Sequence, residues 1–301
     1  MQLLAKLVRH PAFLLVTLGV LWGSGYTLAR FATTHGVSPL GYAFWQCLGP
    51  AVVLSCYQVV SRQRLRLTVP QVAYLLLIGL IGITLPNTNM YVISAHLPAG
   101  LLAVVVNTTP VFIFLLALLA GEERLSAARI AALVLLCLGL GLLVWPSMTL
   151  SSTFSGHPAW VALSLLSPLF FALTAVLIAN RPMSLPSSMM ACGMMWAATL
   201  WLLPVMMAHH AFYWPSSSWQ SRDTAILGEV VLSSVGYIVF FRLLKMAGSV
   251  YYSFVSGVVA IMGVIWGQVF FAEHFTVSNI IAMSCIVVAT ALIVLFSSRR
   301  E

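Results

Sequence analysis

Apolar residues gather into runs of about twenty along nearly the whole chain, with polar residues between them. The runs lie at roughly 12–31, 41–60, 71–95, 99–120, 127–145, 160–179, 187–208, 225–244, 249–271 and 277–296. A helix rises about 1.5 Å per residue, so about 20 residues cross a hydrocarbon layer about 30 Å thick. The pattern predicts an all-α polytopic membrane protein with ten transmembrane helices. Pro, Ser, His and nearly all the charges sit in the gaps, and no gap is long enough for a separate soluble domain.

Composition agrees with lipid as the solvent. Of the 301 residues, 61% are hydrophobic and 7% charged, whereas a soluble domain carries about a quarter charged residues. The formal charge of +8 is not spread as a stripe with interleaved aromatics, so nucleic acid is not an expected partner. The basic residues instead report orientation. With the N-terminus on the cytoplasmic side, Lys6, Arg9, Arg62, Arg64, Arg66, Arg124, Arg129, Arg181, Arg242, Lys245, Arg299 and Arg300 fall in inner gaps, twelve of the fourteen. Both termini are then expected inside. The segment before Pro11 lacks a small-residue cleavage site and reads as part of a retained first helix. Cys47, Cys56, Cys137, Cys192 and Cys285 all lie in apolar runs without metal-like spacing, which fits buried free thiols.

A shift of 150 residues lays Val105, Glu123, Ile130, Ala132, Leu142 and Val144 on Val255, Glu273, Ile280, Ala282, Leu292 and Val294. Each Glu ends one span, and the next apolar run begins about four residues later. The expected organisation is a first repeat over 1–146 and a second over 157–298. Five spans per repeat is an odd number, so the second repeat enters the bilayer upside down. Inverted repeats are a recurring architecture of secondary transporters, with the solute site near the midplane where the halves meet.

The segment LWGSGYTLAR at 21–30 resembles the opening of EamA-type members of the drug/metabolite transporter superfamily, where Trp-Gly-Ser leads to a cationic residue at the helix end. AGLLAVVVNTTPVFIFLLALLAGEERLS at 99–126 is similar to that family's span 4, with its mid-helix Pro and terminal Gly-Glu-Arg. The second half matches less closely: Ala260 stands where Pro is expected, and Phe271-Ala272-Glu273-His274 replaces Gly-Glu-Arg. The resemblance implies a multi-pass transporter of the bacterial inner membrane, from a family that exports amino acids, other metabolites and toxic compounds. It identifies the fold better than the substrate.

Polar groups inside a bilayer are costly and each asks for a reason. Glu229 lies seven residues, about 10 Å, along span 8 from Arg222. It is the candidate for proton coupling or substrate contact, against a carboxylate simply facing water near the headgroups. Arg30 stands where the resembled family has its cation. It is a candidate to hold an anionic group, to pair with a carboxylate such as Glu229, or to reach the headgroups. Thr84, Pro86, Asn87, Thr88 and Asn89 on span 3, with Asn107, Thr108, Thr109 and Pro110 on span 4, suggest interrupted helices beside a cavity. Asn87 and Asn107 are the first choices as hydrogen-bonding residues there.

Trp22, Tyr26, Tyr91, Tyr237 and Tyr252 are the candidate aromatic contacts. Packing or interfacial belts are the alternative, and the resemblance implies that Trp22, Tyr237 and Tyr252 line the central cavity. Pro168 marks a bend in span 6. Gly19-x-x-x-Gly23 and Gly263-x-x-x-Gly267 suit close helix crossings.

No nucleophile with a matched base, no phosphate-binding glycine loop and no nucleotide-binding domain is apparent, so an enzyme is not expected. No cofactor or metal is expected either. The reading is a secondary transporter, expected to be monomeric, that exports small polar or amphipathic metabolites such as amino acids and is a candidate for proton coupling. Import or facilitated movement of another metabolite or drug, and a non-transporting membrane scaffold, are the alternatives.

Overall fold

The computed structural model describes residues 10–62, 67–94, 105–106, 108–120, 126–128, 130–132, 134–135, 137–139, 142, 158–180, 183–214, 219–252, 254–271, 277, 280–281, 284–285, 287–289 and 291–292. Every regular element among them is a helix. In chain order these are α1 (Pro11–Thr34), α2 (Pro39–Val60), α3 (Val69–Gly79), α4 (Leu85–Ser94), α5 (Thr109–Leu119) and α6 (Ile130–Gly139). The second half supplies α7 (Pro158–Ser164), α8 (Leu166–Asn180), α9 (Ser187–Ala208), α10 (Ser221–Tyr252) and α11 (Val255–Phe271). Among the described residues, six stretches are long and apolar enough to cross a membrane: Pro11–Thr34, Pro39–Val60, Val69–Met90, Ala162–Asn180, Ser187–Ala208 and Ser221–Ser249. They fall on predicted spans 1, 2, 3, 6, 7 and 8.

Local chemistry sets the starts of these helices. Proline occupies the first turn of α1, α2 and α3, where a missing N–H costs nothing because that donor has no partner within the helix. The Ser38 hydroxyl accepts from the Gly41 N–H at 3.1 Å, and Gln71 closes a capping box by accepting from the Thr68 N–H at 2.9 Å. At α10, the Asp223 carboxylate accepts from the Gln220 N–H at 2.8 Å.

Span 3 is not one regular helix. A π-helical turn, Leu80–Thr84, joins α3 to α4. Pro86 follows it and has no N–H for a carbonyl of the preceding turn. The wide turn makes room for the ring, and the Thr84 hydroxyl donates to the Gly79 carbonyl at 3.2 Å. Span 6 is likewise two pieces, broken at Leu165, with Pro168 in the first turn of α8. Span 8 starts earlier than its apolar run suggests, and the segment Ser221–Tyr252 contains one non-helical residue, Gly248, at φ 76° and ψ 178°. A positive φ carries little steric cost in glycine, so the chain breaks there between spans 8 and 9.

Helices of the two halves are interleaved. α1 makes its most extensive contacts with α10 and α11, and α2 with α9. A side chain at Gly19 or Gly23 would put its Cβ 2.4 Å from the Val258 Cβ or 2.5 Å from the Met262 Cβ, so α1 and α11 cross through those two glycines. Gly263 behaves differently from expectation: nothing lies within 4 Å of an added Cβ there. Outer faces carry exposed Val59, Val60, Leu200, Val269 and Phe270, whereas Gln58, Asp223, Glu229, Ser233 and Ser234 are buried. Exposed Trp196 and Trp201 turn their indole N–H groups inward, to the Ser55 hydroxyl at 2.9 Å and the Leu76 carbonyl at 3.1 Å. Lipid offers no hydrogen bonds, so this arrangement suits a bilayer.

Candidate functional site: a cavity between interleaved helices

A cavity with about 960 Å³ of empty space, its open mouth included, lies where these helices converge. α1 contributes Trp22, Gly25 and Ala29; α2 contributes Gln46; span 3 contributes Gly82 and Asn87. From the second half come Phe171, Thr174 and Met194, then Glu229, Tyr237 and Phe240 of α10, and Tyr252 with the first turn of α11.

Glu229 is only 4% exposed. Its Oε1 accepts from the Ser233 hydroxyl at 2.6 Å and from the Gln46 amide at 3.1 Å. Asn87 in turn donates to Gln46 Oε1 at 3.4 Å. The other carboxylate oxygen, Oε2, is buried without a hydrogen-bond partner. It reaches toward Gly25, where an added Cβ would stand 2.8 Å away. Glycine is thus the residue on α1 that leaves space for the carboxyl group.

One helical turn from Gly25, Trp22 packs against three rings. Its centroid lies 5.9 Å from Tyr237, 5.5 Å from Phe240 and 6.0 Å from Tyr252. Phe240 and Tyr252 meet at 5.1 Å in an edge-on arrangement. These tilted geometries are the favourable ones for aromatic groups.

One end of the bundle is tied across the halves. Arg222 donates to the His35 carbonyl at 3.0 Å, and Ser38 to the Ala211 carbonyl at 2.7 Å. Trp45 donates to the Tyr213 carbonyl at 2.8 Å, while the Tyr213 hydroxyl donates to Asp223 at 2.6 Å. Burial and the hydrogen bond to Asp223 push the Tyr213 phenol above its ordinary value.

The sequence profile of the EamA-like transporter family matches residues 10–145 and 158–295. The chain belongs to that family. An EamA-like transporter carries two repeats, and this one is an all-α membrane protein of ten transmembrane helices in two inverted five-helix repeats. A crystal structure is similar to it over 97% of this chain and 98% of its own, at 17% identity and a TM-score of 0.71. That likeness concerns the fold alone. No curated protein matches the chain.

Within this EamA-like transporter, Glu229 of the second repeat faces Gly25 and Gln46 of the first. Trp22, Asn87, Tyr237, Tyr252 and Glu229 are brought to one cavity. Arg30 is not among the residues lining it; its guanidinium sits 4.1 Å over the Phe271 ring. Asn107 and the side chains of Tyr26 and Tyr91 lie outside the described residues, as do the gap glutamates Glu122, Glu123 and Glu273. Gln46, Ser233, Phe240 and the Tyr213–Asp223 pair were not singled out by sequence. A glutamine inside an apolar run was the available signal for Gln46, whereas Phe240, inside Val239-Phe240-Phe241, carried none.

Proposed function

We propose that this EamA-family transporter exports small polar or amphipathic metabolites, amino acids being the favoured class, with Glu229 as the group that takes up and releases a proton during the cycle. In this reading the protein lies in a bacterial inner membrane with both termini cytoplasmic, and its repeats extend over 1–146 and 157–298. Trp22, Asn87, Tyr237 and Tyr252 contact the solute. The observation that carries the reading is the placement of one buried carboxylate between α1 and α10, in a cavity built from both repeats.

Such a site can exchange its contacts when the halves change places, since each repeat supplies one wall. Glu229 holds its Oε1 on Ser233 and Gln46, so a proton arriving on the carboxyl group alters a linked set of hydrogen bonds across the repeats. Cys47 and Tyr42 of α2 also interact with this carboxyl group; both are uncharged at neutral pH at their ordinary values, which leaves Glu229 as the group that carries charge.

Purified protein in liposomes tests this directly. Amino-acid flux should rise with an imposed pH gradient in the wild type, and Glu229→Gln should abolish the gradient dependence. Equal dependence in both proteins would remove Glu229 from coupling, and absence of solute flux under every gradient would remove the transport reading.

A further inference from the structure

We infer that the cavity is a cation site: it takes a solute with a primary ammonium head and an apolar or aromatic body, with the head on Glu229 Oε2 and the body against Trp22. This deepens the transporter reading and rests on it only for the cavity being a solute site.

The charge inventory comes first. Among the described residues lining the cavity, Glu229 is the only formally charged side chain, and there is no Lys, Arg or His. Arg30, the cation on α1, lies over Phe271. A solute whose only charged group is a carboxylate would therefore meet a like charge and no counter-charge among these lining residues.

Hydrogen-bond direction gives the second argument. Asn87 donates to Gln46, and Gln46 and Ser233 donate to Glu229. The Gln46 and Ser233 donors thus converge on Oε1; the Tyr42 hydroxyl also lies by the carboxyl group and donates to the Gly25 carbonyl at 3.4 Å, while Oε2 is buried without a hydrogen-bond partner. A buried charge acceptor without a donor is costly. What is lacking is a donor, and an ammonium supplies three with a positive charge.

Shape gives the third. Gly25, where an added Cβ would stand 2.8 Å from Oε2, is three residues from Trp22, about 4.5 Å along the helix. Trp22, Tyr237, Phe240 and Tyr252 all line the cavity there. Their apolar surface suits an aryl or alkyl body, and their faces attract an adjacent positive charge. A head on the carboxylate and a body two or three carbons away fits this spacing.

Three matched probes decide it: phenethylamine, 2-phenylethanol and 3-phenylpropionate, which share the ring and differ in head charge. Binding to the purified full-length protein is followed by tryptophan fluorescence at pH 7.5, a working value at which the amine is charged. The expected order is amine first, alcohol weaker, acid without measurable binding. Glu229→Gln should weaken the amine about tenfold or more, about 1.4 kcal/mol, and weaken the alcohol by less, so that the preference for amine narrows. Glu229→Asp keeps the charge and should keep the preference for amine over alcohol at reduced affinity; it serves if Glu229→Gln does not fold.

Equal binding of alcohol and amine, binding of the acid, binding of none of the three, or an amine affinity that survives Glu229→Gln would each overturn the inference. Flux measured in liposomes separates the two readings. Amine binding without any flux leaves the cation site standing and removes transport, whereas flux of solutes that lack an ammonium group, without flux of any that carry one, removes the cation site and leaves transport.

Discussion

Two glycines show how differently the same substitution acts at single positions. At Gly25, an added Cβ would meet the tip of the Glu229 side chain at 2.8 Å. That tip can swing away, so Gly25→Ala should leave the thermal midpoint within the equivalent of about 1 kcal/mol. Solute binding should nevertheless fall, because the carboxyl group no longer occupies its place. At Gly49, an added Cβ would lie 2.2 Å from Val230 Cγ2, and a β-branched side chain has little freedom to move. Gly49→Ala should cost about 1–3 kcal/mol and lower the yield of folded protein. Thermal unfolding in detergent beside a binding assay separates the two, and a Gly25→Ala protein as unstable as Gly49→Ala would contradict the account.

Legibility at this scale followed rarity. Glu229, Asn87 and Trp22 stand out against an apolar background, and a charge inside a span asks for an explanation. Phe240 does not stand out, because an aromatic ring in an apolar run serves core, lipid face and cavity alike. The partner of each polar group was also hidden: nothing in the run around Glu229 points to Gln46, 183 positions away.

Among elements, span 3 is the instructive one. Its apolar length was readable, and Pro86 marked a disturbance, but periodicity does not distinguish a π turn from a kink. The segment just after the turn is tied to another helix. Ser167, fully buried on α8, donates to the Pro86 carbonyl at 2.9 Å and accepts from Asn89 at 2.8 Å. Ser167→Ala should destabilise the protein by about 0.5–2 kcal/mol, since it removes a buried hydroxyl bridge between the two helices. Ser167→Thr keeps the hydroxyl and should recover most of that, provided the added methyl is accommodated. Unfolding midpoints for the pair check it; an alanine variant as stable as wild type would mean that the hydroxyl bridge contributes little.

Across the whole molecule, the tie between His35, Ser38, Ala211, Tyr213 and Arg222 joins the two repeats at one end. Its Tyr213 hydroxyl bonds Asp223 as a donor, so the bond needs the protonated phenol. Because the folded value lies above the unfolded value of about 10, the contribution is fully present below about pH 10 and is lost as pH rises through the folded value. The stability gap between wild type and Tyr213→Phe should therefore stay constant from pH 6 to about pH 10 and close above it. A gap that closes between pH 6 and 8 would place the sensitivity elsewhere. The duplicated, inverted plan was visible from span parity and from the shift of 150 residues. Which helices touch was not, since the contacts of α1 with α10 and α11 join residues far apart in the chain and leave no local pattern.

That interleaving bears on how the protein is made. The Trp266 indole donates to the Ser24 hydroxyl across 242 positions. At a synthesis rate of about 5–20 residues per second, α1 leaves the ribosome roughly 10–50 s before its partner on α11 exists. During that interval the notches at Gly19 and Gly23 lack their α11 partners, Val258 and Met262. The first helix must hold its place on its own greasiness, and a polar substitution there would be felt during biogenesis before it was felt in the finished transporter.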